Sequence, residues 1–150
     1  MLLGLLIAPA SIVFSQSHHD DTTQRLMEAI TSGHHDTITS LIVNGADINQ
    51  SNAHGFTPLM EAARSGNPDM VAFILSFNPK VNAQNKAGGT ALMLAAKYGY
   101  TQTMAQLLAK GADPSIMNNF GNRAIDFARA YDQTEAYNLL RTAESEFGKL

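Results

Sequence analysis

An all-α solenoid of stacked helix pairs is the fold class this chain predicts, and two observations predict it. The first is a period of 33 residues: Gly55, Gly88 and Gly121 recur at that spacing, as do Leu59, Leu92 and Ile125, and Ala62, Ala95 and Ala128. The period reaches back from Leu59 to Leu26 and from Ala62 to Ala29. The second is that apolar residues within each period fall three and four apart, which is the spacing of one helical stripe. A unit this short cannot bury its apolar face alone, so such units stack and each touches only its neighbours. An array of this kind offers an elongated face rather than a deep central pocket.

The stretch before the repeats is different. Leu2 to Phe14 is almost wholly apolar, broken by Gly4, Pro9 and Ser11. It is shorter than the ~20 residues a membrane-spanning helix needs, but it suits the apolar core of a secretory signal. Residues 1–15 are therefore expected to be a signal peptide, with Val13-Phe14-Ser15 before the cut and Gln16 as the mature start. Ala8-Pro9-Ala10 offers a second site, and no Lys or Arg precedes the apolar run. Residues 16–22 read as a flexible polar leader and 23–150 as the repeat domain. The expected location is periplasmic or secreted, or cytoplasmic if the apolar segment is not a signal.

Four units follow. The first runs from Leu26 to Asn49, and the others open at Gly55, Gly88 and Gly121. Each begins with one short helix and continues into a second amphipathic stretch. The second stripes carry Ile38, Leu41 and Ile42; then Val71, Ile74 and Leu75; then Met104, Leu107 and Leu108; then Tyr137, Leu140 and the polar Arg141. Thr57 is placed to cap its helix, and Pro58 stands in the first turn, where its missing N–H does no harm. Gly66 and Gly99 fit the left-handed position that ends a helix, and Gly45 and Gly111 end the second helices similarly. Asn78-Pro79-Lys80 replaces Gly-Ala-Asp in the second unit, which predicts a turn of different geometry with Asn78 tolerating positive φ.

Composition narrows the chemistry. The formal charge is -3, so no bulk basic field draws nucleic acid. There is no Cys, which removes disulfides, thiol catalysis and thiolate metal sites. No Gly-x-Ser-x-Gly, His-Glu-x-x-His or phosphate-binding Gly-rich loop is present. Asp20 and Asp21 fall in the leader, and Glu28 and Glu61 recur with the repeat, which assigns them a structural place. The expectation is a protein that is not an enzyme and needs no cofactor.

These residues together resemble the ankyrin repeat, whose signature is Thr-Pro-Leu-His-x-Ala followed by Gly, an aliphatic stripe and Gly-Ala-Asp. The resemblance covers about Gln24 to Leu140. It implies four stacked helix–turn–helix units with β-hairpin finger loops at each junction, the first and last units acting as caps. Polar Arg129, where the neighbouring units have Ala63 and Ala96, agrees with a closing unit. The signature His is replaced by Met27, Met60 and Met93, and then by Asp126.

The resemblance also implies a protein partner, bound through finger tips and the exposed face of the first helices. The finger positions are then Ala53, His54 and Phe56; Lys86, Ala87 and Gly89; and Asn119, Phe120 and Asn122. The helix positions are Arg64 and Ser65; Lys97 and Tyr98; and Ala130 and Tyr131. Phe56, Tyr98 and Tyr131 are expected to be exposed contacts. Phe120 resembles a phenylalanine that packs in capping repeats. Arg64, Lys86 and Lys97 read equally as contacts or as solvated charges. The partner-binding set is His54, Phe56, Arg64, Ser65, Lys86, Ala87, Gly89, Lys97, Tyr98, Phe120, Asn122 and Tyr131.

The specific expectation is one protein partner, bound by a free monomer, with the chain acting as a stoichiometric inhibitor or immunity-type protein against a secreted or periplasmic hydrolase. Neither nucleic acid nor a membrane is expected as a partner. The alternatives are an envelope stress or metal-handling protein and a passive scaffold. For metal handling, Met27, Met60 and Met93 would offer soft thioethers, though they serve equally as core atoms. His18, third after a cut at Ser15, could complete a square-planar site with the new amino terminus. His18-His19 and His34-His35 do not have the spacing of a structural zinc site.

Overall fold

The computed structural model describes the backbone of residues 10–149 and the side chains of residues 21–149. Eight helices follow one another among them: α1 (Ala10–Thr31), α2 (His35–Val43), α3 (Pro58–Ser65), α4 (Pro68–Leu75), α5 (Ala91–Tyr98), α6 (Thr101–Ala109), α7 (Ala124–Ala130) and α8 (Thr134–Phe147). The expected signal segment, 1–15, lies partly outside the described residues. From Ala10 the chain is already helical, and α1 includes the stretch 16–22 read as a leader. No helix of the described residues is long and apolar enough to cross a membrane.

Each odd-numbered helix pairs with the even-numbered one that follows it. The pairs then stack, α1 on α3, α3 on α5 and α5 on α7, with α4, α6 and α8 forming a second layer behind. The core lies between the layers and runs the length of the stack, from Leu26 and Ile30 through Leu59, Ile74, Leu92 and Leu107 to Leu140. Ala62, Ala63, Ala95 and Ala96 are wholly buried, and their small side chains let the odd helices approach one another closely. Met27, Met60 and Met93 are buried too, so the methionine ladder serves as adaptable core atoms.

Local punctuation follows the sequence closely. Thr57 Oγ1 accepts from the Met60 N–H at 3.3 Å, and Thr90 Oγ1 does the same for Met93 at 3.3 Å. In the last unit Arg123 takes the capping position, and its own N–H donates to Asp126 Oδ2 at 2.9 Å. Gly66 and Gly99 close α3 and α5 in the left-handed conformation. Asn78 stands where Gly45 and Gly111 stand in the neighbouring units and takes the same left-handed position, at φ 52. The different turn expected there reduces to a smaller φ, because asparagine can adopt this region.

The finger loops depart from expectation. No strand occurs among the described residues. Each finger is a tight loop closed by two backbone hydrogen bonds: the Asn52, Asn85 and Asn118 N–H groups donate to the Phe56, Gly89 and Asn122 carbonyls at 2.9 Å each, and the Gly55, Gly88 and Gly121 N–H groups donate back to the same asparagines' carbonyls at 2.8, 2.8 and 3.0 Å. Five residues leave no room for a ladder of paired strands. The asparagine side chain completes the loop instead, since its Oδ1 accepts the N–H groups two and four residues on.

Candidate functional site

The site is assembled from the ends of α3, α5 and α7, which the period brings side by side. Arg64, Lys97 and Ala130 occupy one register position, and Ser65, Tyr98 and Tyr131 occupy the next. The result is a row of side chains crossing three adjacent helices.

Lys97 is its centre. The ammonium lies 5.4 Å from the centroid of the Tyr98 ring and 5.1 Å from that of Tyr131. Two rings from neighbouring units thus hold one cation by its attraction to their π faces. Tyr98 in turn stacks on Tyr100, centroid to centroid 5.7 Å. The Tyr100 ring covers Gly66 so closely that a Cβ there would lie 2.6 Å from it. Gly66 is therefore glycine for two reasons, its left-handed φ and the ring above it. Tyr100 has Asn67 and Gln133 at its equivalent positions, so periodicity gave no signal for its role.

Arg64 is the second cation of the row. It pairs with Glu61, one turn back on α3, whose side chain is nearly buried. That hydrogen bond to the carboxylate pushes the Arg64 pKa above its ordinary value. Ser65 is exposed, but its hydroxyl donates to the Ala62 carbonyl at 2.7 Å and closes the helix.

The fingers supply a second line. Lys86 N–H reaches the His54 carbonyl at 3.5 Å, and Asn119 N–H donates to the Ala87 carbonyl at 3.0 Å. Asn119 Nδ2 adds a bond to the Lys86 carbonyl at 2.9 Å. These ties fix the tips, where Ala53, His54, Lys86, Ala87, Asn119 and Phe120 are exposed. His54 also lines a groove of about 580 Å³ with Thr23, Gln24, Met27 and Asn52. Gly89 and Asn122 sit at the finger bases and close the loops onto Asn85 and Asn118; Asn122 is exposed, Gly89 half-buried.

Two phenylalanine assignments reverse. Phe56, expected to be exposed, is half-buried and packs on the core. Phe120, expected to pack, is 78% exposed. Register explains both. Phe56 is equivalent to Gly89 and Asn122 at a finger base, whereas Phe120 is equivalent to His54 and Ala87 at a tip. Among the described residues no further unit stands over this tip.

Metal-ligating groups do not converge among the described residues. His35 Nδ1 lies 3.0 Å from the Gly33 carbonyl oxygen, and its ring packs edge-on to Phe73, centroids 4.4 Å apart. The His18 side chain lies outside the described residues.

No curated protein matches this chain. The family model for ankyrin repeats matches it three times, over residues 6–85, 26–118 and 75–147. Those matches span nearly the whole sequence and agree with four helix pairs in register; the chain belongs to the ankyrin-repeat family, whose repeats form protein–protein interaction modules.

Proposed function

We propose that this chain is exported and acts as a stoichiometric inhibitor or immunity-type protein, gripping one secreted or periplasmic hydrolase through the row on α3, α5 and α7. The observation that carries the binding face is the Lys97 ammonium held between Tyr98 and Tyr131, both rings nearly half exposed. Tyrosine and arginine carry binding energy at protein interfaces because they combine large apolar area with hydrogen-bonding groups. Here they stand on short helices locked by a packed core, so little side-chain freedom is lost when a partner arrives. Export is supported by the apolar stretch before Ser15 and by the absence of cysteine. Cleavage after Ser15 would leave α1 from Gln16 onward. The inhibitory role follows from compartment: a small binding module outside the cytoplasm acts by occupying a surface, and an enzyme cleft is a surface whose occupation has an effect.

The test is affinity capture from the native envelope fraction with the wild-type chain and with Tyr98→Ala/Tyr131→Ala. Both tyrosines are half exposed, so the double variant keeps its fold by circular dichroism. The expected outcome is one stoichiometric partner held by the wild type, lost with the variant, and inactivated when the chain is added to it. A partner retained by the variant would refute the placement of the face. A partner whose activity is unchanged by one equivalent of the chain would refute inhibition and favour the scaffold reading.

A further inference from the structure

The sign of charge on this row points to the chemistry of its occupant. We propose that the segment seated across α3, α5 and α7 is an acidic stretch of protein whose carboxylates meet the Lys97 ammonium and the Arg64 guanidinium, a refinement that rests on the binding-face reading above. The chain as a whole carries 13 Asp and Glu against 10 Lys and Arg. The row reverses that balance. Arg64 and Lys97 lie on adjacent helices, and the exposed Lys86 belongs to the finger of the Lys97 unit. Glu61 is the sole acid of α3 and α5 together, and it is committed to Arg64. Asp126 of α7 is engaged with Arg123. The exposed Glu28 stands in α1, and the exposed Asp132 follows Tyr131 directly in the turn after α7, so three cations face one uncommitted acid at the row.

Lys97 has no carboxylate partner among the described residues. The tyrosine rings fix its position and shield its flanks, yet they do not neutralise it. The phenol hydroxyls beside it can donate to a carboxylate oxygen. Arg64 presents five N–H donors, and Glu61 does not use all of them; its side chain is 48% exposed. A carboxylate arriving here meets a pre-positioned cation, phenol donors and a guanidinium edge. Water excluded by the rings and by the incoming segment strengthens the pairing.

The probe is a dodecapeptide of alternating Glu and Phe, compared with its Gln/Phe counterpart, titrated into the isotopically labelled full chain and followed by amide chemical shifts. The acidic peptide is expected to shift Arg64, Lys97, Tyr98 and Tyr131. It should bind at least about fivefold more tightly than the Gln peptide near 0.05 M salt, an advantage mostly lost near 0.5 M. Lys97→Gln, which keeps most of the stem and both rings, should reduce that preference by about threefold or more. Equal binding of the two peptides at the row would overturn the acidic assignment while leaving the binding face intact. Shifts confined to other residues, or none at millimolar peptide, would also overturn it. So would a single-stranded oligodeoxynucleotide that binds the row more tightly than the acidic peptide.

Discussion

At the scale of single residues, position in the array decides what a side chain does. Gly88 and Gly121 share the same φ of 78 at equivalent finger positions. A Cβ on Gly88 would lie 2.7 Å from the Asn119 backbone nitrogen, whereas one on Gly121 would meet nothing within 4 Å. Gly121→Ala is therefore expected to cost about 1–2 kcal/mol, the penalty of the left-handed backbone alone. Gly88→Ala should cost about 1–3 kcal/mol more, because a neighbouring backbone must move to make room. Urea denaturation of the two variants measures the difference, and equal midpoints would mean that the fingers do not press on one another. The two phenylalanines teach the same lesson. The family resemblance implied an exposed contact for Phe56 and packing for Phe120, and the structure reverses both. The tyrosines were legible as exposed positions, but the capture of Lys97 between rings from two units was not. It depends on the distance between adjacent helices, which no spacing along one chain reports.

Among the elements, α3 and α5 owe their starts to one hydroxyl each. Thr57 and Thr90 each satisfy one of the free N–H groups of their first turn. Thr90→Val keeps the shape of the side chain and removes the acceptor, so it should destabilise the chain by about 1 kcal/mol. A thermal unfolding curve reads this directly, and an unchanged midpoint would show that the cap is replaceable by water. The start of α3 and the glycine stops of α3 and α5 were readable because each rests on a local chemical cause. The β-hairpins implied by resemblance were absent for an equally local cause. Asn52, Asn85 and Asn118 recur at the period of 33, and their carboxamides hold each loop with side-chain bonds in place of strand pairing. Three asparagines in register were the visible signal, and the amide chemistry of turns is what gives that signal meaning.

For the molecule as a whole, the stack ends where a position changes character. Ala63 and Ala96 are wholly buried between successive units, while Arg129, at the same position in the last unit, is exposed and lies over the Tyr137 ring at 5.4 Å. Ala96→Arg would place a cation where α7 packs, and a buried unpaired charge of this kind costs at least about 3 kcal/mol. The expected outcome is loss of the single cooperative transition, with the last unit exchanging its amide protons ahead of the rest. Retention of one sharp transition would mean that the units bind one another more loosely than their packing indicates. Each finger is tied only to the next, by bonds that do not reach further along the array. Nothing in that scheme counts units, so a tandem duplication of residues 67–99 in the coding sequence could slip between the existing copies without disturbing either terminus. It would add a second lysine–tyrosine step, and lineages could tune grip strength by gaining or losing whole modules.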